Sequence, residues 1–193
     1  MNNTKKFREI NEIEKVIIHN SLLKISTKIL PVLNRINYKI YITMENKISK
    51  INYPSIFLIP SNLTKSVDRL TQNTSINIAG SYFGFIKKGD FYLSLEGTEF
   101  LLNLGCFSKR QKIIVNENGE KAILYGNQIL KRMVIKVPNE LEKNDFLIVL
   151  NLNDELIAIG KSHVSYHTYK NLKPNDLVVL NLVDKGYYLR KRQ

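Results

Sequence analysis

Cysteine, long apolar runs and acidic residues are all scarce in this chain, and each scarcity closes off a class of function. Cys106 is the single cysteine in 193 residues, so no intramolecular disulfide can form and a reducing compartment suits the chain. Between Gly105 and Phe107 it reads as a small buried hydrophobe. No stretch comes near the roughly eighteen apolar residues that a membrane-crossing helix needs. The opening Met1-Asn2-Asn3-Thr4-Lys5-Lys6-Phe7-Arg8-Glu9 lacks the apolar core of a secretion signal. The expectation is a soluble cytoplasmic protein, nucleolar in a eukaryotic cell, with no membrane partner.

Catalytic and metal chemistry is equally thin. His163 and His167 stand four apart, but a zinc site needs a third ligand, and His163 falls where a strand should end, so the two would not share a helical face. There is no phosphate-cradling loop, and Gly80-Ser81-Tyr82-Phe83-Gly84 lacks the spacing of a dinucleotide turn. No internal repeat, low-complexity tract or heptad pattern is present. The sequence predicts no metal, no cofactor and no enzyme.

Positive charge is what the chain does have. Lys and Arg number 29 against 17 Asp and Glu, a formal charge of +12. That excess favours a polyanionic partner, nucleic acid or an acidic membrane surface, although lysines scattered for solubility would give the same total. Residues 1–111 hold 16 cations against 8 anions and residues 112–193 hold 13 against 9, so the field covers both halves.

Hydrophobic patterning divides the chain near residues 105–112, where Ser108-Lys109-Arg110-Gln111-Lys112 separates two apolar-patterned regions. Over residues 4–30, Ile10, Ile13, Val16, Ile17, Leu23 and Ile29 recur at helical spacing and read as the core side of one or two amphipathic helices, halted by Pro31. Strands are predicted over residues 38–42 and 56–59, a helix capped by Ser61-Asn62 over Leu63, Val67 and Leu70, and a strand opening at Ile76. A hairpin turns on Lys88-Gly89-Asp90, and a helix over residues 96–104 ends at Gly105. The second region predicts a strand over 113–115, a turn at 116–119, a short helix over 121–125 and a strand from Ile129 to Val137. Strands over 146–150 and 156–164 follow, then a closing hairpin over 177–190. About six short strands of this kind suit a small closed barrel.

In the closing hairpin, Tyr187-Tyr188-Leu189 reads as a returning strand that runs into Arg190-Lys191-Arg192, with Lys185 in its turn. Rings beside cations suit single-stranded nucleic acid. The same residues also suit an ordinary barrel strand with a solvated basic tail. Strand alternation would leave only one tyrosine, Tyr188, free to stack.

These segments resemble a PUA domain, the small RNA-binding barrel, through Ile157-Ala158-Ile159-Gly160 and Gly186-Tyr187-Tyr188-Leu189-Arg190. More narrowly, Leu124-Tyr125-Gly126-Asn127-Gln128-Ile129-Leu130-Lys131 is similar to the signature of the Nip-seven family of large-subunit ribosome-biogenesis factors. The stretches Gly80-Ser81-Tyr82-Phe83-Gly84-Phe85-Ile86-Lys87 and Phe91-Tyr92-Leu93-Ser94-Leu95 fit that family's first domain. Two departures stand out: Asn144-Asp145 and Asn175-Asp176 fill turns where PUA domains usually carry glycine. Asparagine tolerates left-handed backbone better than other non-glycine residues.

The resemblance implies an α+β protein: an N-terminal α/β domain with an antiparallel sheet over residues 1–108, then a PUA-type β-barrel over 112–193. It implies an RNA groove between the short helix and the following strand. Lys131 and Arg132 would be phosphate contacts there, joined by Lys161, Lys170 and Lys173. Gly126, between Tyr125 and Asn127, has two readings: a left-handed turn, or room for a ligand backbone. The expected function is noncatalytic binding of ribosomal precursor RNA by a monomer that meets other ribosome-biogenesis or RNA-processing proteins. An RNA-modification enzyme or its guide subunit, and a protein-interaction scaffold, are the alternatives.

Overall fold

The computed structural model describes residues 7–44, 53–73 and 78–190. The chain divides into two compact units, Met1–Cys106 and Phe107–Gln193.

The first unit holds β1 (Phe7–Glu9), α1 (Glu12–Ile25), α2 (Ile29–Arg35), β2 (Tyr38–Thr43), β3 (Ser55–Pro60), α3 (Thr64–Asn73), β4 (Ser81–Lys87), β5 (Asp90–Leu93) and α4 (Leu95–Asn103). Its five strands pair antiparallel in chain order, β1-β2-β3-β4-β5. One face carries Phe7, Tyr41, Phe57 and Ile59, with Val67 of α3 packed on them. Ile18 and Leu22 of α1 and Leu101 of α4 are fully buried. The buried hydroxyl of Ser21 on α1 accepts the Phe91 N–H at 2.9 Å, which fixes that helix to β5.

The N-terminal expectation needs correction. Residues 7–9 form a strand, and α1 starts only after Asn11, whose side chain accepts the Glu14 N–H at 2.9 Å while the Glu14 carboxylate accepts the Asn11 N–H at 2.8 Å. This reciprocal cap fixes the helix start more strongly than apolar spacing does. Pro31 does not halt a helix. It sits in the first turn of α2, where its missing N–H has no helical acceptor to lose. Ile13, Val16 and Leu23 are exposed, so the apolar pattern overstated the core. Of the strand expected from Ile76, the first two residues lie outside the described residues, and β4 begins at Ser81. The hairpin turn is as predicted, with Lys88 and Gly89 both left-handed at φ 51° and 82°.

The second unit holds β6 (Lys112–Val115), α5 (Glu117–Leu124), β7 (Ile129–Leu130), β8 (Val134–Lys136), β9 (Phe146–Leu150), β10 (Leu156–Ser162), α6 (Tyr166–Lys170), β11 (Leu177–Asp184) and α7 (Tyr187–Arg190). Its sheet runs β7-β11-β10-β9-β6-β8. The two edge strands are neighbours in sequence, joined by a 3-10 turn at Lys131–Met133, so the sheet curls almost closed around Ile113, Val115, Ile123, Ile129, Leu147, Val149 and Val178. The α+β architecture with a near-closed C-terminal barrel agrees with the sequence reading.

Three local expectations fail here. The single strand over 129–137 is broken, because Leu130 pairs with Leu177 while Val134 pairs with Val115 on the opposite edge. The supposed turn at 116–119 opens α5: the Asn116 side chain caps the Gly119 N–H at 2.8 Å. Gly119 lies within the helix, and a Cβ at that position would come 2.7 Å from the Met133 Cβ. The returning strand does not form either. Residues 187–190 make one helical turn closed by the Arg190 N–H on the Gly186 carbonyl at 3.0 Å. Asn144 is left-handed at φ 74°, as its turn chemistry suggested, whereas Asn175 has no positive φ.

Candidate nucleic-acid interface

Apart from Lys161, the described residues singled out in sequence fall into two groups at opposite ends of β11. Its eight residues, at about 3.3 Å per step, put roughly 20 Å between them.

At the start of β11, the 3-10 turn is held to the preceding loop by the Lys131 N–H on the Asp176 carbonyl (3.0 Å) and the Arg132 N–H on the Pro174 carbonyl (2.9 Å). This brings α6 alongside. The Lys131 ammonium donates to the carbonyls of Leu172 (2.7 Å) and Lys170 (3.2 Å), and stands 5.3 Å from the Tyr169 ring centroid. Lys170 lies 4.6 Å from the Tyr166 ring centroid. Arg132 donates to the side-chain oxygen of Asn175. Lys173 is exposed, and its backbone N–H is taken by the Asp176 carboxylate at 2.7 Å. Both tyrosines pack against the barrel core, and burial raises the Tyr169 phenol above its ordinary pKa, so it stays neutral. The side chains of Lys131, Arg132 and Lys170 rest on carbonyls, an amide and aromatic faces. Among the described residues none of them forms an ion pair, so their positive potential survives.

At the far end, Arg190 behaves differently. Its guanidinium makes two 3.0 Å bonds to Asp184, a residue only 3% exposed, and a further bond to the Leu124 carbonyl at the end of α5. Gly126 is left-handed at φ 88°, and a Cβ there would come 3.1 Å from the guanidinium. At Gly186 a Cβ would lie 1.8 Å from the Leu124 carbonyl oxygen. Of the two readings of Gly126, the turn is present and the space beside it is filled by the protein's own arginine. Tyr125 is 77% exposed. The Asn127 carbonyl accepts from the Asn181 side chain at 3.1 Å. Lys185 is exposed, and its N–H bonds the Ile157 carbonyl at 2.9 Å. The side chain of Tyr188, and Lys191 and Arg192 altogether, lie outside the described residues.

Lys161 pairs with Leu180 midway along β11 and is the one exposed position in β10. Lys131, Lys161 and Arg190 therefore lie beside the start, middle and end of β11. Sequence reasoning missed a further basic groove of about 280 Å³, lined by Lys109, Arg110, Lys112, Lys136, Pro138 and Glu140 among others. Arg110 and Glu140 pair there at 3.5 Å. The groove depends on β6 pairing with β8, Ile114 opposite Lys136, a register that no local motif announces.

The UPF0113 PUA domain family matches residues 111–193. That match lies within the C-terminal unit and makes it similar to that PUA family. A UPF0113 protein of Archaeoglobus fulgidus is 38% identical over 103 residues, 53% of this chain and 56% of the relative, so the match spans just over half the length of that protein. The 60S ribosome subunit biogenesis protein NIP7 of Saccharomyces cerevisiae is 27% identical over 135 residues, 70% of this chain and 72% of the yeast protein. These relatives bear out the resemblance to the Nip-seven family. A solved PUA domain protein of Thermoplasma acidophilum superposes with a TM-score of 0.60 over 96% of this chain and 98% of its own, at 15% identity, and supports the fold alone.

Proposed function

We propose that this chain is a noncatalytic factor in assembly of the large ribosomal subunit, which holds precursor ribosomal RNA through its PUA domain. The observation that carries this reading is the patch of Lys131, Arg132, Lys170 and Lys173 around Tyr166 and Tyr169, in which the side chains of Lys131, Arg132 and Lys170 are set on neutral partners. Side chains held this way keep their charge for an incoming phosphate. Arg132, Lys170, Lys173 and Lys161 neutralise the backbone and release its counterions. Lys131 positions α6 against the 3-10 turn. Contacts to 2′-hydroxyls favour RNA over DNA. Arg190 braces the end of β11, and its charge is met by Asp184. The relatives named for 60S subunit biogenesis motivate the assembly role. In it the chain acts as a monomer among other biogenesis or RNA-processing proteins, in the cytoplasm or, in a eukaryotic cell, the nucleolus.

Anisotropy of labelled single-stranded RNA across a salt series tests the binding. Arg132→Gln, Lys170→Gln and Lys173→Gln combined should flatten the log K against log salt slope by about two units, at roughly 0.7 per phosphate contact. No RNA binding by the unaltered protein at low salt would overturn the proposal. Crosslinking in cells should recover precursor RNA of the large subunit, and recovery of other RNAs alone would remove the assembly role.

A further inference from the structure

A second aromatic site lies in the N-terminal unit. Phe85 of β4 and Tyr92 of β5 stand directly opposite each other in the hairpin. Their rings are 5.3 Å apart and only 11° from parallel. Tyr53 extends the row, 5.9 Å from Phe85 at 22°. The Lys87 ammonium lies 4.8 Å from the centroid of the Tyr53 ring, and Tyr92 is 45% exposed.

This row is distinct from the buried stack of the same hairpin, Phe83 on Phe91 at 5.4 Å, with both residues at most 4% exposed. Because consecutive strand residues face opposite ways, Tyr92 lies on the other side of the sheet from Phe91. Near-parallel rings leading to an exposed tyrosine form a flat apolar surface that another flat ring can extend. The charges beside it favour an anion. Lys87 and Lys88 sit at the hairpin end, and the nearby carboxylate of Asp90 is paired with Lys24 at 3.3 Å. A strand that offers flat rings and negative charge together is a single-stranded nucleic acid.

We infer that the Tyr53–Phe85–Tyr92 row is a base-stacking platform for single-stranded RNA, an inference that rests on the RNA-binding function proposed above. Stacking reads the face of a base and not its edge, so the platform tolerates any sequence and favours purines for their larger rings.

The test uses the full chain and a short oligo(A) RNA. Tyr92→Ala, an exposed position where the fold should survive, weakens binding about tenfold with an unchanged salt slope, since no phosphate contact is lost. Tyr92→Phe restores the affinity. Ultraviolet crosslinking attaches RNA to the peptide that contains Tyr92. The Arg132, Lys170 and Lys173 variant is run alongside. If the unaltered protein binds no RNA, the proposed function itself falls. If the protein binds, the cation variant flattens the slope, and Tyr92→Ala binds like the unaltered chain, the platform alone is refuted. Weakened binding that Tyr92→Phe fails to rescue also refutes it, since loss of a ring face would then not be the cause.

Discussion

The two ends of β11 carry the same residue types and put them to different uses. At the end of the strand, Arg190 meets a buried carboxylate, fills the space above two glycines and ties α5 to the chain terminus. At its start, Lys131, Lys170 and Arg132 meet carbonyls, rings and an amide. A carboxylate partner cancels charge at a distance, whereas a dipole or an aromatic face holds a cation in place and leaves its charge available. Counting cations along the sequence gives the tail and the 3-10 turn equal weight. Their partners separate a brace from a binding surface.

The largest effect is expected at the braced end. Gly186→Ala forces a Cβ to within 1.8 Å of a backbone oxygen, a clash that no side-chain rotation relieves, and should cost about 3 kcal/mol in urea denaturation. The salt dependence of RNA binding should not change, and Arg190→Gln should also leave it alone. A flattened slope for Arg190→Gln would erase the contrast between the two ends by making the brace a phosphate contact.

At the other end, Lys131→Met keeps the length of the side chain but loses the ammonium from two carbonyls and the Tyr169 ring. A cost of about 1 kcal/mol is expected, visible as a lower urea midpoint and as faster amide exchange in α6. A stability unchanged by this substitution would make Lys131 as free as its neighbours and the patch wholly a binding surface.

A similar pairing occurs in the first unit, where Arg8 makes bonds of 2.7 and 2.8 Å to Glu14. Burial pushes the Glu14 carboxyl up, but the Arg8 and Asn11 hydrogen bonds outweigh it and hold its pKa below the ordinary value. A carboxyl lowered in the folded state contributes stability above the unfolded value of about 4.3, and that contribution is lost as pH falls through the folded value. Glu14→Gln should therefore lower stability at pH 7 by less than about 1 kcal/mol, since the pair is partly exposed. The variant and the parent should converge in acid. A gap that persists at low pH would assign the loss to the helix cap and not to the ion pair.

Much of the fold was legible because local chemistry dictated it. The Lys88-Gly89 turn sets the β4–β5 register, and the left-handed Gly105 follows the end of α4. Asn144 takes the left-handed turn that its side chain tolerates. Features set by distant partners were not legible. Residues 129–137 read as one strand, yet they serve two edges of a nearly closed sheet. Tyr187-Tyr188 favours a strand, but the bond from Arg190 to Asp184, six residues back, winds the segment into a turn. Within the candidate site, Lys131, Arg132, Lys170 and Lys173 were named from the resemblance, and the structure groups them. The groove of Lys109, Arg110, Lys112 and Lys136 needed a strand pairing that only the folded chain supplies.

The smallest expected effect belongs to Lys161, which lies between the two ends and shows which of them it joins. It is exposed in a strand that is otherwise buried and makes no ion pair among the described residues. Lys161→Gln should leave stability within about 0.5 kcal/mol. If the RNA path leads from the α6 patch along β11, the substitution removes one phosphate contact, and the salt slope falls by about 0.7. An unchanged slope would confine the RNA to the α6 end, with Lys161 grouped with the solvated lysines. A change larger than one contact can account for would mean that Lys161 orders its neighbours, so the slope should be measured beside a circular-dichroism melt of the same sample.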